Sequence, residues 1–154
     1  MPSFRITSIA IGFVLLWFIA MAAYFAALPG GLSLDFVFTR AAAIQLLDGL
    51  SPGDVHWHRM GTLIGDTVLP LAYGTATMLA ILRYARGGLR IALAVMIFAG
   101  VGLDFLENAL HIELLRGDLD VLGTHIFVTW AKFTLVVPPI VYGLVNWLFD
   151  WRQG

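Results

Sequence analysis

Four long stretches of this chain run almost without charge, and that feature decides what it can fold into. Residues 6–28 contain no charged side chain, enough to cross about 30 Å of hydrocarbon as a helix at about 1.5 Å per residue. A cleaved signal peptide is the rival reading, with Arg5 before the stretch and small residues at its end, but the apolar run exceeds the usual core of about 7 to 15 residues. Further apolar stretches cover about 60–82, 91–110 and 121–149. Composition agrees, because 60% of the 154 residues are apolar and 12% charged, where a soluble domain carries about a quarter charged. The expectation is an all-α polytopic membrane four-helix bundle, one domain over 1–154.

Charge and composition exclude several functions. Nine basic and ten acidic residues give a formal charge of −1, which leaves no clustered basic face for nucleic acid. With no cysteine, disulfides, thiolate metal sites and a cysteine nucleophile are absent. Arg5, Arg83, Arg86, Arg90 and Arg152 fall on one side of the expected spans, and Arg40, Arg59 and Arg116 on the other. The positive-inside rule therefore places both termini in the cytoplasm. The opposite side is acidic, with Asp35, Asp48, Asp54, Glu113, Asp118 and Asp120.

Between the first two spans, about 34–50 reads as a helical extracytoplasmic cap, starting near Ser33 and ending at Gly49. It is too short to span. SPGD at 51–54 reads as a turn leading into a solvated loop that holds His56, Trp57 and His58.

The ionisable residues inside the spans carry the functional information, because a charge at the bilayer centre costs several kcal/mol unless paired or wetted. Asp66 lies in the second span, Asp104, Glu107 and Asn108 in the third with His111 at its end, and His125 and Lys132 in the fourth. Counted from Met60, Asp66 lies roughly 9 Å in, and counted from Val121, Lys132 lies roughly 16 Å in. Spacings of i, i+3, i+4 and i+7 put Asp104, Glu107, Asn108 and His111 on one helical face. His125, Thr129 and Lys132 share a face of the fourth helix, and Thr62, Asp66 and Tyr73 approximately share one of the second. Facing one another, these stripes would enclose a polar pocket opening outward, floored by Lys132 and lidded by the connection. Gly61 and Gly65 permit close helix approach, while Pro70 and Pro138–Pro139 free backbone carbonyls.

One lysine cannot neutralise three intramembrane carboxylates at once, so protonation, hydration or a metal must make up the difference. Asp104 and Glu107 are the candidate acid and base, Asp66 and Lys132 their catalytic partners, and Asn108, His111, His125, Thr129, Trp130 and Tyr73 the candidate substrate contacts. A divalent metal on His111, His125 and Glu107 is chemically reasonable, although no metal-binding spacing of the HExxH kind occurs.

The DFLEN segment at 104–108, with GDTVLPLAYG before it and TWAKF after it, resembles a pattern in uncharacterised bacterial four-helix membrane proteins that place D-x-x-E-N in one helix and a lysine in the next. The resemblance covers the last two spans, implies a bacterial cytoplasmic membrane and brings no activity with it. The layout is also similar to the EXPERA group of four-helix sterol isomerases, with its helical outer connection and intramembrane carboxylates. Asp66 and Pro70 stand where that group carries a glutamate and a glutamine-proline pattern, so no residue role carries over.

The functional expectation is acid–base chemistry, metal-assisted in one variant, on a membrane lipid or other hydrophobic small molecule. A proton-coupled transporter or channel, an assembly subunit of a larger membrane complex, and a homo-oligomer are the alternatives that the same residues allow.

Overall fold

The computed structural model describes residues 2–30 and 37–153. The described residues are helical, without strands, and four of the helical segments are long and apolar enough to cross a membrane: Phe4–Ala26, Pro52–Tyr84, Gly87–Leu115 and Leu119–Arg152.

Helix α1 (Phe4–Ala26) starts at Ser3, whose hydroxyl accepts from the Ile6 amide, one of the donors that a helix start leaves open. Its end leads to Gly30 at φ +79°, a conformation that favours glycine. There a Cβ would also meet Leu46 at 3.0 Å and Leu50 at 3.3 Å. Helix α2 (Arg40–Asp48) is capped by Thr39. It is the described part of the expected cap, and residues 31–36, including Asp35, lie outside the described residues.

The second long segment departs from expectation in a way that matters for the site. SPGD is not a turn before a loop: Ser51 and Asp54 form a reciprocal capping box around Pro52, which starts helix α3 (Pro52–Met60). His56 and His58 are therefore helical, and His58 is 1% exposed, with Nε2 2.7 Å from the Pro29 carbonyl. A π-turn over Gly61–Gly65 follows, and then α4 (Asp66–Tyr84). Counted from Pro52, Asp66 sits roughly 21 Å along the rod rather than 9 Å.

Helix α5 (Gly87–Leu115) follows a short Arg-rich turn, and a 3-10 turn at Leu119–Val121 leads into α6 (Leu122–Gln153). The long segments alternate in direction. At one end Arg83 donates to the Asp150 carboxylate at 2.7 Å and to the Pro2 carbonyl at 3.0 Å, and Trp147 donates to Ser8 at 2.9 Å. At the other end Tyr24 donates to the Trp57 carbonyl at 2.8 Å, Arg40 meets Asp120 at 3.3 Å, and Val37 and Ala43 pack with Leu114 and Leu122. Helices α4, α5 and α6 pack mutually, whereas α1 packs chiefly along α4. Large apolar side chains such as Ile9, Phe98 and Phe127 cover the outer faces, the pattern of a surface solvated by lipid rather than water.

The close approach of α1 depends on two glycines. A Cβ on Gly61 would fall 2.7 Å from the Tyr24 ring and 2.8 Å from that of Phe25, and one on Gly65 would overlap Met21.

Candidate functional site

Pro70 shapes the backbone beside the site. It has no N–H, so the carbonyl four residues before it, that of Asp66, loses its helical partner. The Asn108 amide donates to that carbonyl at 2.9 Å, tying α5 to α4. Gly65 precedes Pro70 by the five-residue spacing of a π-turn, and the Trp17 indole donates to its carbonyl at 3.1 Å. Two side chains from neighbouring helices thus bind the consecutive carbonyls of Gly65 and Asp66, the second being the one that the proline leaves open.

One turn further along, the polar stripes of α4, α5 and α6 meet. Tyr73 donates its hydroxyl to Asp104, and Lys132 donates to Asp104 at 3.2 Å and also to Glu107. Thr129 places its hydroxyl on the other Glu107 oxygen and 3.0 Å from its own helix's His125 carbonyl. Asp104 and Glu107 are largely buried, as is Lys132. One ammonium is shared between two carboxylates, within a chain of hydrogen-bonded groups reaching from α4 through α5 to α6.

This cluster lies on the wall of a cavity of about 380 Å³. Asp66 and Asn108 line it beside Asp104, Glu107, Lys132 and Tyr73, while Val14, Leu15 and Phe18 of α1 and Val136 and Ile140 of α6 supply an apolar opposite side. No residue of α2 is among its lining, so the described part of the connection covers the α5–α6 end instead of lidding this space.

The remaining expected site residues fall elsewhere. Trp130 is 61% exposed and stacks on Phe38 at 6.2 Å between centroids. Two helical steps rotate a side chain by about 200°, so a residue two before the inward Lys132 points outward. His111 and His125 are buried behind the cavity, ring edge to ring face at 5.9 Å. Thr62 is fully buried and outside the cavity lining. The expected metal set does not assemble: no group of three or more His, Asp or Glu is placed to hold an ion among the described residues, and Glu107 is engaged by Lys132 and Thr129.

Sequence reasoning missed the α1 wall and the Trp17 contact. Over residues 9–23 helix α1 is apolar on every face, so nothing in its pattern marks Val14, Leu15 and Phe18 as cavity-facing.

Toward the Arg83 end, Ile81, Ala85, Leu93, Ile97 and Val136 pack as an apolar cluster, and a second, apolar space of about 150 Å³ adjoins the cavity, sharing Val14, Leu15, Tyr73 and Ile140 in its lining. Compared with family models, curated proteins and solved structures, the chain matches none.

Proposed function

We propose that this protein is a four-helix membrane bundle, with both termini cytoplasmic and α2 on the outer side, that carries out acid–base chemistry on a hydrophobic or amphiphilic substrate. The substrate enters sideways between α1 and α6, and its reacting group reaches Asp104 and Glu107. The observation that carries the reading is two carboxylates sharing a single lysine on the wall of a cavity whose other side is apolar. A plain structural lock would pair charges one to one and leave no void. Here Lys132 serves two acids, and Asp66 lines the same space.

In this mechanism Asp104 starts as the protonated acid, held by Tyr73, and Glu107 as the carboxylate base: Glu107 takes a proton from the substrate, Asp104 gives one to another position of it, and the proton on Glu107 returns to Asp104 through Lys132, which lies between them. Removal of water by the apolar walls strengthens each of these interactions. The apolar cluster of Ile81, Leu93, Ile97 and Val136 on the Arg83 side favours an enzyme over a proton carrier, since it contributes no polar side chain to a proton path.

The test is a comparison of whole-lipid profiles from cells overproducing the wild type or Glu107→Gln. The expected result is a lipid pool altered by the wild type and unaltered by the variant, at equal folded yield. Identical profiles from both proteins would overturn the catalytic reading.

A further inference from the structure

Among the described residues the two ends of the bundle carry opposite charge. At one end Arg40, Arg59 and Arg116 stand against five carboxylate side chains, and two of those arginines are paired, Arg40 with Asp120 and Arg116 with Glu113. At the other end five arginines stand against one carboxylate side chain, that of Asp150. Asp150 is already taken, since Arg83 donates to it at 2.7 and 3.0 Å and the Tyr84 hydroxyl at 3.0 Å. Arg90 is spent on the Ala85 carbonyl at 2.9 Å, where it closes the end of α4. The side chains of Arg5, Arg86 and Arg152 are exposed and have no partner among the described residues.

These three arginines stand at one level of the bundle. Arg83 also donates to the Pro2 carbonyl at 3.0 Å, so a single guanidinium fastens the start of α1 and the end of α6 to the end of α4. Arg5 lies three residues from Pro2, Arg86 three from Arg83 and Arg152 two from Asp150, which keeps each within about 11 Å of that lock even for an extended chain. Lipid-facing side chains adjoin them. Ile6 next to Arg5, Leu89 just beyond Arg86 and Trp151 next to Arg152 are 53, 51 and 63% exposed, as suits contact with hydrocarbon in a membrane-spanning bundle. Unpartnered guanidinium groups therefore stand around the bundle where lipid headgroups lie. The choice of residue adds to this. An excess of positive charge on one side of a membrane is met by lysine as well as arginine, yet the one lysine of the chain, Lys132, is in the cavity. The planar guanidinium fork is the side chain that matches a phosphate group with two parallel N–H donors.

We infer that the Arg83 end is a docking rim for anionic phospholipids, whose phosphate groups accept hydrogen bonds from the guanidinium groups of Arg5, Arg86 and Arg152. The inference rests on the reading of the chain as a membrane bundle and stands apart from the chemistry proposed for its cavity. A zwitterionic headgroup carries its own cation, which the same arginines repel. Each arginine that an anionic headgroup reaches should favour it by about fivefold, and by less as salt rises.

The test places the full chain in phosphatidylcholine bilayers with a trace of phosphatidylglycerol or of phosphatidylcholine, each carrying the same acyl-chain spin label. Electron paramagnetic resonance separates lipid slowed against the protein from lipid in the bulk, and the ratio gives relative association. Phosphatidylglycerol should be held roughly two- to fivefold more than phosphatidylcholine, averaged over the whole perimeter, with a smaller difference at high salt. The triple variant Arg5→Gln, Arg86→Gln, Arg152→Gln should lose this selectivity, whereas Arg40→Gln with Arg116→Gln, at the other end, should keep it. Each single variant should lose part of it, which carries the test should the triple variant fold poorly. Inorganic phosphate should displace phosphatidylglycerol no better than chloride at equal ionic strength. Equal association of the two lipids with the wild type, or selectivity unchanged in the variants of Arg5, Arg86 and Arg152, would overturn the inference. Displacement by phosphate beyond that by chloride would also overturn it, by assigning these arginines to a soluble anion. Headgroup selectivity combined with unchanged whole-lipid profiles would leave this inference standing and remove the catalytic one. An altered lipid pool with no headgroup selectivity would do the reverse.

Discussion

Replacing Lys132 with methionine removes the one cation from a buried cluster while preserving most of the side-chain volume. Lys132 is 15% exposed at its side chain, Asp104 12% and Glu107 7%, so the two carboxylates would lose their shared partner with little water to replace it. Breaking a buried pair by deleting one member costs about 3–5 kcal/mol. For a chain of this size that lowers the melting temperature by roughly 6–20 °C, at about 2–4 °C per kcal/mol. The companion variant carries Lys132→Met, Asp104→Asn and Glu107→Gln together. It leaves no unpaired charge, and replacement of a whole buried ionic group is often close to neutral. The triple variant is therefore expected to recover most of the loss. Thermal unfolding in detergent, followed by tryptophan fluorescence and circular dichroism, reads both. An unchanged midpoint for Lys132→Met would refute the argument that the ammonium neutralises buried carboxylates. Equal loss in single and triple variants would assign the effect to packing of the lysine stem, whose ammonium also sits 5.0 Å from the Phe133 ring.

Further outcomes follow from the backbone around Pro70 and from the outer faces. Asn108→Leu should cost about 1–3 kcal/mol by leaving the Asp66 carbonyl unserved, and adding Pro70→Ala, which restores the N–H, should remove most of that cost; a cycle showing no coupling would separate the two residues. Gly61→Ala should destabilise by about 1–3 kcal/mol, because the methyl meets the rings of Tyr24 and Phe25. Gly65→Ala should cost less, since the flexible end of Met21 is what must move, and the order of the two midpoints checks this. Trp130→Ala should leave stability within about 1 kcal/mol, in keeping with a ring that faces outward, and the thermal midpoint checks this.

The parts of the fold legible in the sequence were those where one physical requirement dominates. Residues 6–28 are long and apolar enough to cross a membrane because nothing charged interrupts them, and α5 must turn Asp104 and Glu107 to one side because helical spacing leaves no choice. The same spacing pairs Thr129 with Lys132, and both reach Glu107. Where two requirements compete, periodicity alone misleads. The segment SPGD contains a proline and a glycine, which read as a turn, yet a proline at the first helical position with Ser51 and Asp54 capping reciprocally is a helix start. That reading moves His58 from solvent into the interior and lengthens the second rod by two turns. Trp130 failed for a different reason: adjacency to Lys132 in sequence is opposition on a helix.

The position of the cavity follows from the backbone irregularity beside it. A regular helix leaves no open carbonyl in its middle, and two long regular helices pack without a gap between them. The π-turn at Gly61–Gly65 and Pro70 break that regularity within one short stretch, and the glycines of the π-turn let α1 close against it. Helix α1 is held there by Trp17 donating to the Gly65 carbonyl, and at its start by Arg83 donating to the Pro2 carbonyl and Trp147 donating to the Ser8 hydroxyl. Between those fastenings lie Ile11, Val14 and Leu15, which border the cavity and the smaller apolar space beside it rather than filling them. The void is thus a consequence of fastening a helix with an apolar middle at two points to neighbours, one of whose backbones is irregular at the fastening. Restoring a regular helix by replacing both Gly65 and Pro70 with alanine should loosen the Trp17 contact and shift α1. Spin labels at Leu15→Cys and Leu144→Cys should then report a changed distance between α1 and α6, and an unchanged distance would show that the void exists independently of the π-turn.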